Sequence, residues 1–422
     1  MSHALELHYG VGVLRRLGVT ACAMVIAACA SAPADVGAPS RAPVTPPGSV
    51  AATAATADPT NSTSSTSSTS TTVVTTTTLP PRTLTLIAGG DVLNEGWVDQ
   101  AGRTAAGPGQ RFDFVPLFAP VAPIIGAADL AICHAELPIG RPDQSSGVYG
   151  RSDFGGNLLL APFEIAPALA ATGFDRCSTA SNHAYDLGAA GIESTLDALD
   201  AAGISHVGTA RTEDEARTPL VDIAGVAVGH LSFTKNWNTV PPAGWMLRRA
   251  TSATALADEV DLLRAQGAEI VVVSLHVGKE LLTGPTDADR QFVEELIAAA
   301  PIDLVLMHGP HVVQPYEFVG STPVYWSLGN FVSGMGRPGT GRYEDLRTLD
   351  GLLASVRFTE RADGSFEADP QAVLICNEQQ SRVVRAPIRE LAAEAAGQLP
   401  QRLRDELEAC IDRTRSVEPD IG

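Results

Sequence analysis

Short apolar runs bounded by turn residues recur along the central part of the chain and predict buried strands. They cover residues 83–88, 130–133, 174–179, 270–275, 304–307 and 324–328. Between most of them, apolar residues recur at three- and four-residue steps, which predicts helices at 187–202, 254–266 and 287–300. A hairpin is predicted at 220–233, with its turn at Ala224 and Gly225. Because strands and helices alternate, we expect an α/β fold in which helices flank a mostly parallel or mixed sheet.

The first 29 residues have the pattern of an export signal. Two arginines precede an apolar run at 17–28, which is too short to span a bilayer but suits a signal-peptide core. Small residues precede Cys29 at the end of this run, as in the lipobox of bacterial lipoproteins. We therefore predict a signal peptide with a lipobox at 1–29 and a lipid anchor on Cys29. Cleavage at 28–30 without lipidation is the alternative.

Residues 30–81 consist mainly of Ala, Ser, Thr and Pro, a composition with little to bury. We expect a disordered linker that spans roughly 40 Å as a flexible coil. The folded domain is predicted at 82–386, followed by a C-terminal helical segment at 387–422. With the lipid anchor, this organisation predicts an extracytoplasmic, membrane-anchored lipoprotein of the cell envelope.

The chain is acidic, with 48 Asp and Glu residues against 29 Lys and Arg residues and a formal net charge of −19. Such a surface repels nucleic acid, which we exclude as a partner. A substrate of the same sign would need a local positive centre, and a bound divalent metal ion is the strongest one available to a protein.

Four cysteines remain beyond the predicted signal and anchor, in a compartment where disulfides persist. Cys133 and Cys177 each end an apolar run, so we expect them to be buried core residues and not a bonded pair. Cys376 and Cys410 are predicted to form a disulfide. No spacing of cysteines suggests zinc held by thiolates.

Polar residues with metal-binding or acid-base chemistry follow five successive predicted strands. In α/β folds, such strand ends are where functional groups gather. Carboxylate, carboxamide and imidazole groups suit Mn, Zn, Fe or Mg. The residues at these strand ends are Asp91, His134, Glu136, Asn182, His183, His276, His308 and His311.

Several ordered segments of the chain resemble the CapA family of poly-γ-glutamate capsule synthesis proteins. Together they cover about residues 83–332. The resemblance implies a metallophosphoesterase-like, calcineurin-like sandwich of mixed β-sheets flanked by helices. It also implies a role in the synthesis, export or anchoring of an anionic surface polymer such as poly-γ-glutamate. The segments are Gly90-Asp91, Asn182 to Gly188, Gly203 to Gly208, Val273 to Gly278, Pro310 to Pro315 and Ser327 to Phe331.

The resemblance also assigns roles to individual residues. It implies one or two divalent metal ions, with Glu136 as the bridging carboxylate if there are two. His183 is implied as the catalytic histidine, which faces the reacting group instead of the metal. The metal ligands implied are Asp91, Glu136, Asn182, His276 and His311, with His308 as a further, imperfectly placed candidate.

Two departures, the first from the metallophosphoesterase pattern and shared by the CapA family, the second from the pattern of the CapA family itself, weaken the case for a tight binuclear centre. Leu93 stands where the Asp-x-His pattern would place a histidine, and Gly309 removes another ligand near His308. His134 replaces an asparagine of the family and could donate a hydrogen bond or bind the metal. A centre with two ions, one ion or none therefore stays open.

Other polar residues have structural interpretations beside their functional ones. We expect Asp186 to cap the helix that follows it, in preference to binding metal. Asn330 either satisfies the backbone of a tight turn or lines the cleft. His206 and His230 are expected to be surface or satisfied strand histidines. Lys279 and Glu280 are expected to be an exposed charge pair, with substrate contact as the alternative.

Two classes of function follow from these features. In the first, the chain is a metal-dependent hydrolase that cleaves a phosphoester, or an amide bond of an envelope polymer. In the second, it is a polymer-binding or scaffold lipoprotein with a relic metal site, and it cleaves nothing. Both interpretations stay open from the sequence.

Overall fold

Two large mixed β-sheets form the centre of the part of the chain that the structure describes. This structure is a computed structural model, and it describes residues 80–393, 398–419 and 421. The predicted signal peptide, the lipobox cysteine and nearly all of the predicted linker lie outside the described residues. Within them, no helix has the length and hydropathy that crossing a bilayer requires.

The strands and helices of the described residues are named here in chain order. The strands are β1 (Thr83–Leu93), β2 (Leu130–His134), β3 (Gly147–Arg151), β4 (Asn157–Leu160), β5 (Arg176–Ser178), β6 (Ser205–Val207), β7 (Val221–Ile223), β8 (Val226–Thr234), β9 (Ile270–His276), β10 (Leu304–His308), β11 (Val313–Val319), β12 (Thr322–Leu328), β13 (Asn330–Ser333), β14 (Asp350–Glu360), β15 (Phe366–Asn377) and β16 (Val384–Arg385). The helices are α1 (Trp97–Ala105), α2 (Val115–Phe118), α3 (Ala122–Ile125), α4 (Ile165–Thr172), α5 (Gly188–Ala201), α6 (Ala253–Ala265), α7 (Asp287–Ala299), α8 (Pro387–Ala393) and α9 (Gln401–Arg415).

The first sheet has eight strands in the order β16-β15-β14-β1-β2-β5-β6, with β13 paired to the end of β1. Strand β1 pairs antiparallel with β14 over its first half, and then parallel with β13 from Asp91 onward. Both pairings of β1 with its parallel neighbours shift register near Asp91. The strand therefore changes partner at the residue that carries a candidate metal ligand.

The second sheet has six strands in the order β11-β12-β10-β9-β8-β7. Its inner face packs against the first sheet, through side chains such as Leu86 and Ile132 on one side and Val272 and Leu306 on the other. Each of these side chains is buried, which contributes about 1.5–3 kcal/mol per residue to folding. The C-terminal helix α9 contributes Leu403 and Leu407 to the same cluster.

Helices cover the outer faces of both sheets. Helices α1 to α5 bury their apolar sides against the first sheet, and α6 and α7 bury theirs against the second. The predicted α/β sandwich of mixed sheets flanked by helices is therefore confirmed. Every predicted strand and helix has a counterpart, including the 220–233 hairpin, which is β7 and β8.

The long antiparallel pair β14 and β15 was not predicted from the sequence. Outward-facing charged residues such as Arg357, Glu367 and Asp369 interrupt the apolar pattern of these strands. The β3–β4 hairpin was also not predicted. It carries Val148, Tyr149 and Phe154 on exposed positions, so it lacks the alternation of a half-buried strand.

Two disulfides link the described cysteines. Cys376 on β15 bonds to Cys410 on α9, with 6.4 Å between their Cα atoms, which confirms that predicted pair. The expectation of unbonded Cys133 and Cys177 was wrong, because these residues form the second disulfide, with Cα atoms 4.5 Å apart. They lie in register on the neighbouring parallel strands β2 and β5. An apolar run shows that a cysteine is buried, but it does not show which strand lies beside it.

Candidate metal centre

The candidate ligands lie together at the carboxyl ends of strands from both sheets. Asp91 belongs to β1, and Glu136 and Asn182 follow β2 and β5 in the first sheet. His276 and His308 end the neighbouring parallel strands β9 and β10 of the second sheet, and they occupy the same register position. Because parallel strands end at one edge, the sandwich brings side chains from distant segments to one place. His311 follows in the loop after β10.

Asp91 is fully buried at the centre of this cluster. Its Oδ1 lies 3.3 Å from Nδ1 of His308 and 3.9 Å from Nε2 of His134. Its Oδ2 lies 3.3 Å from Nδ1 of His311 and accepts a hydrogen bond from the backbone of Gly309 at 3.1 Å. Burial alone would raise the pKa of Asp91, but His308, His311 and His134 outweigh it and hold the pKa well below its usual range.

Two groups of three side chains are arranged to hold a metal ion. Asp91, His134 and His308 form one, and Asp91, Glu136 and His311 form the other, with the ligand atoms of each group within 4.8 Å of one another. Both groups share Asp91. Asp91 is therefore the carboxylate common to both groups, whereas the resemblance implied Glu136 as the shared one.

Several buried polar atoms at this centre have no hydrogen-bond partner among the described residues. An isolated buried carboxylate or imidazole nitrogen is costly, because water no longer solvates it. A divalent cation would compensate these atoms, and a set of carboxylate and imidazole ligands suits Mn, Zn or Fe. The donor set therefore fits a metal ion. The atoms are Asp91 Oδ1, both carboxylate oxygens of Glu136, Asn182 Oδ1 and His308 Nδ1.

The tautomer of His134 is set by its neighbours. The Ser178 hydroxyl donates to the carbonyl of Cys133, so it accepts from Nδ1 of His134 at 2.7 Å. This leaves Nε2 of His134 facing Asp91, and Nδ1 of His276 lies 3.0 Å from that atom. Burial lowers the pKa of His134 well below its ordinary value and that of His276 to about 3. Both rings are therefore neutral, the form in which a histidine binds metal.

His276 belongs to neither group of three and contacts them through His134. The resemblance had implied it as a direct ligand, and the structure places its Nδ1 within hydrogen-bond distance, 3.0 Å, of Nε2 of His134. His134, which the sequence left undecided, lies in the first group.

His311 is held in a strained backbone conformation with φ of 60°, which is rare for a residue with a side chain. Its Nδ1 donates to Oδ1 of Asn330 at 3.0 Å, and its Nε2 lies 3.6 Å from Oε1 of Glu136. The amide of Asn330 in turn donates to the carbonyl oxygens of His311 and Thr348. Asn330 therefore orients the imidazole ring of His311, which belongs to the second group of candidate ligands. This role goes beyond satisfying the backbone of a tight turn.

His183 is bound by a carboxylate at the rim of the centre. Its Nδ1 lies 2.6 Å from Oδ2 of Asp186, which also accepts from the backbone of Leu159. The amide of Asn238 donates to the other oxygen of Asp186 at 3.2 Å. Burial would lower the pKa of His183, but Asp186 and Glu136 outweigh burial and raise it.

The expectation that Asp186 caps the following helix was therefore wrong. The N-terminal cap of α5 is Leu187, which makes no side-chain capping hydrogen bond. The carboxylate of Asp186 instead forms hydrogen bonds with His183 and with the backbone of Leu159. A carboxylate beside a buried imidazole forms a charge-assisted hydrogen bond, which is stronger than a neutral one. Asn238 was missed from the sequence because it lies in an irregular loop with no motif around it.

A groove with a volume of about 520 Å³ runs from this centre across the start of α1 to the β3–β4 hairpin. Asn182, His183 and His311 line its inner end. A second cavity of about 410 Å³ is also lined by Asn182 and His311, and it includes Lys279 and Glu280, so this pair borders the centre. A cavity of about 760 Å³ beside α6 contains none of the candidate residues.

The two remaining histidines of the described residues lie outside the centre. His230 is buried on β8, where it accepts from Arg176 and contacts the Ser274 hydroxyl at 2.9 Å. His206 on β6 pairs with Asp200 at 3.2 Å. Both are satisfied strand histidines, as predicted.

Comparison with known proteins gives one family and several relatives. Residues 85–335 match the family described as "Bacterial capsule synthesis protein PGA_cap". The chain is 28% identical over 261 residues to the PGA biosynthesis protein CapA of Bacillus subtilis, a match covering 60% of this chain and 64% of that one. It is 26% identical over 265 residues to the capsule biosynthesis protein CapA of Bacillus anthracis, covering 60% of each.

A probable polyglutamine synthesis accessory protein of Mycobacterium tuberculosis is 29% identical over 213 residues, covering 47% of this chain and 55% of that protein. The matches thus span less than two thirds of each of these relatives. Among solved structures, a calcineurin-like phosphoesterase from Bacillus subtilis is similar with a TM-score of 0.41 and 14% identity, covering 80% of this chain and 98% of that one.

Proposed function

Because the chain belongs to the bacterial capsule synthesis protein family PGA_cap, we propose that it acts in making, exporting or anchoring an anionic cell-surface polymer, and that it does so by metal-dependent hydrolysis. The family match confirms the resemblance that the sequence motifs indicate. The relatives are named for capsule, PGA or polyglutamine synthesis, which supports poly-γ-glutamate or a similar polymer as the substrate.

One observation carries the hydrolase proposal. Two groups of potential ligands share Asp91, and His183 lies at the end of the same groove as His311 without belonging to either group. A surface that only binds a polymer does not need a buried pair of ligand groups beside an oriented histidine. When bound, a divalent ion would supply positive charge and a water acidic enough to attack at neutral pH.

The residues of the chain then have separate tasks. Asp91, His134 and His308 would hold one ion, and Asp91, Glu136 and His311 a second. Asn182 presents a buried amide oxygen next to His183. With Nδ1 of His183 bound to Asp186, Nε2 is the nitrogen that can give a proton to the leaving group of a phosphoester or an amide.

The alternative is a polymer-binding protein without hydrolysis. The observation that favours it is the buried Leu93, which occupies the position where the metallophosphoesterase pattern has a histidine ligand. In that case the cluster of histidines and any bound ion supply only positive charge on an acidic chain.

The proposed location is the outer side of the cytoplasmic membrane, with a lipid on Cys29 as the anchor. The export pattern of residues 1–29 and the capsule synthesis role of the relatives support this proposal.

The deciding experiment measures metal content and hydrolysis in the same preparations of the full chain. We expect His311→Ala to lower the metal content and His183→Ala to leave it nearly intact, while both abolish cleavage of γ-linked glutamate oligomers or of a phosphodiester. His206→Ala, a histidine outside the centre, serves as the control and should change neither. If His183→Ala and His311→Ala both keep wild-type metal content and the wild type cleaves neither substrate, the hydrolase proposal fails.

A further inference from the structure

Two arginines share one tryptophan, and one of the two lines the groove. The guanidinium carbons of Arg337 and Arg382 each lie 5.3 Å from the ring centre of Trp97, the first residue of α1. Arg337 lines the groove together with His183 and His311 of the metal centre. The three side chains come from segments far apart in the chain, so this arrangement is a product of the fold.

Arg382 is a buried cation without an acceptor. Its side chain is 0% exposed, and none of its three guanidinium nitrogens has a hydrogen-bond partner in the described part of the chain. Burial lowers the pKa of Arg382 to about 10, so it stays charged at neutral pH. A cation–π contact offsets only part of the cost of burying a charge.

The surroundings of Arg382 add further positive charge. Nε of Arg337 is buried and likewise has no acceptor among the described residues. A Cβ atom placed on Gly96, the N-terminal cap of α1, would lie 3.3 Å from Nη1 of Arg337. The guanidinium therefore lies against the N-terminus of a helix, where the backbone dipole is itself positive.

Acidic partners are abundant elsewhere in the protein, so their shortage does not explain this arrangement. Arg82, for example, is bound by both Glu269 and Glu360. Within the groove, Glu95 packs against Gly334, and the carboxylate of Asp99 accepts hydrogen bonds from the side chains of Asn94 and Ser146. In the described residues neither carboxylate forms an ion pair with Arg337 or Arg382.

We propose that Arg337, Trp97 and Arg382 form a binding site for an oxyanion, either a carboxylate or a phosphate group, of a ligand that lies in the groove. Arg337 contacts the anion, since it reaches the groove and a guanidinium matches both groups with two parallel hydrogen bonds. Arg382 is a positioning residue, because its buried charge against the same indole strengthens the field at Arg337. Only the further step, that the anion belongs to the polymer being hydrolysed, rests on the proposed function.

The site is tested by anion binding to the full chain, with inorganic phosphate and a γ-linked glutamate trimer as probes and calorimetry as the measurement. We expect Arg337→Gln to weaken binding of the preferred probe about tenfold, and Arg382→Met to weaken it several-fold. Stronger binding of the trimer identifies a carboxylate site, and stronger binding of phosphate identifies a phosphate site. Arg103→Gln is the matched control, because Arg103 lines the same groove but stacks on Phe112.

Thermal denaturation separates a binding role of Arg382 from a structural one. Without anion, Arg382→Met should be as stable as the wild type or more so, since it removes an uncompensated buried charge. The preferred anion should raise the melting temperatures of the wild type and of His183→Ala. It should raise the melting temperatures of Arg382→Met and Arg337→Gln much less. Equal binding by wild type and both arginine variants, or an equal loss in Arg103→Gln, would overturn the site. Because His183→Ala binds without hydrolysing, a failure of the hydrolase proposal leaves this test intact.

Discussion

Asp186 accepts a hydrogen bond from Nδ1 of His183 at 2.6 Å, three residues apart in the loop that precedes α5. We expect Asp186→Asn to reduce hydrolysis by at least about tenfold, because a neutral amide neither fixes the tautomer nor stabilises the protonated ring. Metal content should not change. Asp200→Asn is the matched control, since Asp200 pairs with His206 away from the groove. Steady-state rates and metal analysis would check this, and full activity in Asp186→Asn would contradict it.

Gly90→Ala should destroy the metal centre. A Cβ atom at Gly90 would lie 2.1 Å from the carbonyl oxygen of Gly329, which accepts the hydrogen bond of the Asp91 backbone. The backbone must therefore move at the residue that both ligand groups share, and we expect lower thermal stability and loss of bound metal. A Cβ atom at Gly89 would meet only aromatic rings, at 3.3 Å or more, so Gly89→Ala should lose less thermal stability and less metal. Equal metal content in the two variants would refute the explanation.

Removing the Cys133–Cys177 disulfide should weaken metal binding as well as stability. The residues after these cysteines, His134 and Ser178, are joined by the hydrogen bond that orients the His134 ring. We expect the double serine variant to lose about 2–4 kcal/mol of unfolding free energy and part of its metal affinity. The variant without the Cys376–Cys410 disulfide should lose stability alone. Chemical denaturation and metal titration of both variants would distinguish these effects.

Asp99→Asn should stabilise the protein at neutral pH more than at acid pH. Burial raises the pKa of Asp99 from 3.8 in the unfolded chain to about 6. Because the folded-state pKa is the higher one, the wild type loses stability as the pH rises from about 4 to about 6, and the amide variant does not. The stability difference between variant and wild type should therefore grow by up to about 3 kcal/mol over this range. Asp153→Asn, at an exposed position, should show no such change.

Cys29→Ser should release the protein from membranes. Cys29 follows small residues at the end of the apolar run, and we expect the lipid on it to be the anchor. Cys22→Ser, inside the predicted signal peptide, should leave membrane association unchanged. Fractionation of cells that express each form would check this, and an equal soluble share of the wild type and Cys29→Ser would remove the lipoprotein proposal.

The central strands and the residues at their ends could be predicted because each signal is local. A run such as 270–275 is apolar at every position but Ser274, and the polar His276 that follows it must lie at the end of the strand. Contacts between distant segments were not predictable in this way. The Cys133–Cys177 bond depends on which strands are neighbours, and the hydrogen bond from the Leu159 backbone to Asp186 depends on where β4 lies.

Arg382 shows the same limit at the groove. In the sequence it is one basic residue in a polar stretch after β15, where an exposed position is the usual outcome. Its burial against Trp97 arises only because the segment after β15 packs beside the start of α1. No periodicity within either segment encodes this contact.

The central position of β1 also governs the kinetics of folding. This strand is made first, yet its partners β13 and β14 are made last among the strands it contacts. Because the chain is made from its N-terminus, the apolar strand β1 lacks its partners β13 and β14 until nearly the whole domain is available. Such long loop closures are slow and expose strand edges to aggregation. We expect a protein of this topology to fold slowly, and its candidate metal ligands to come together only after the last sheet pairing has formed.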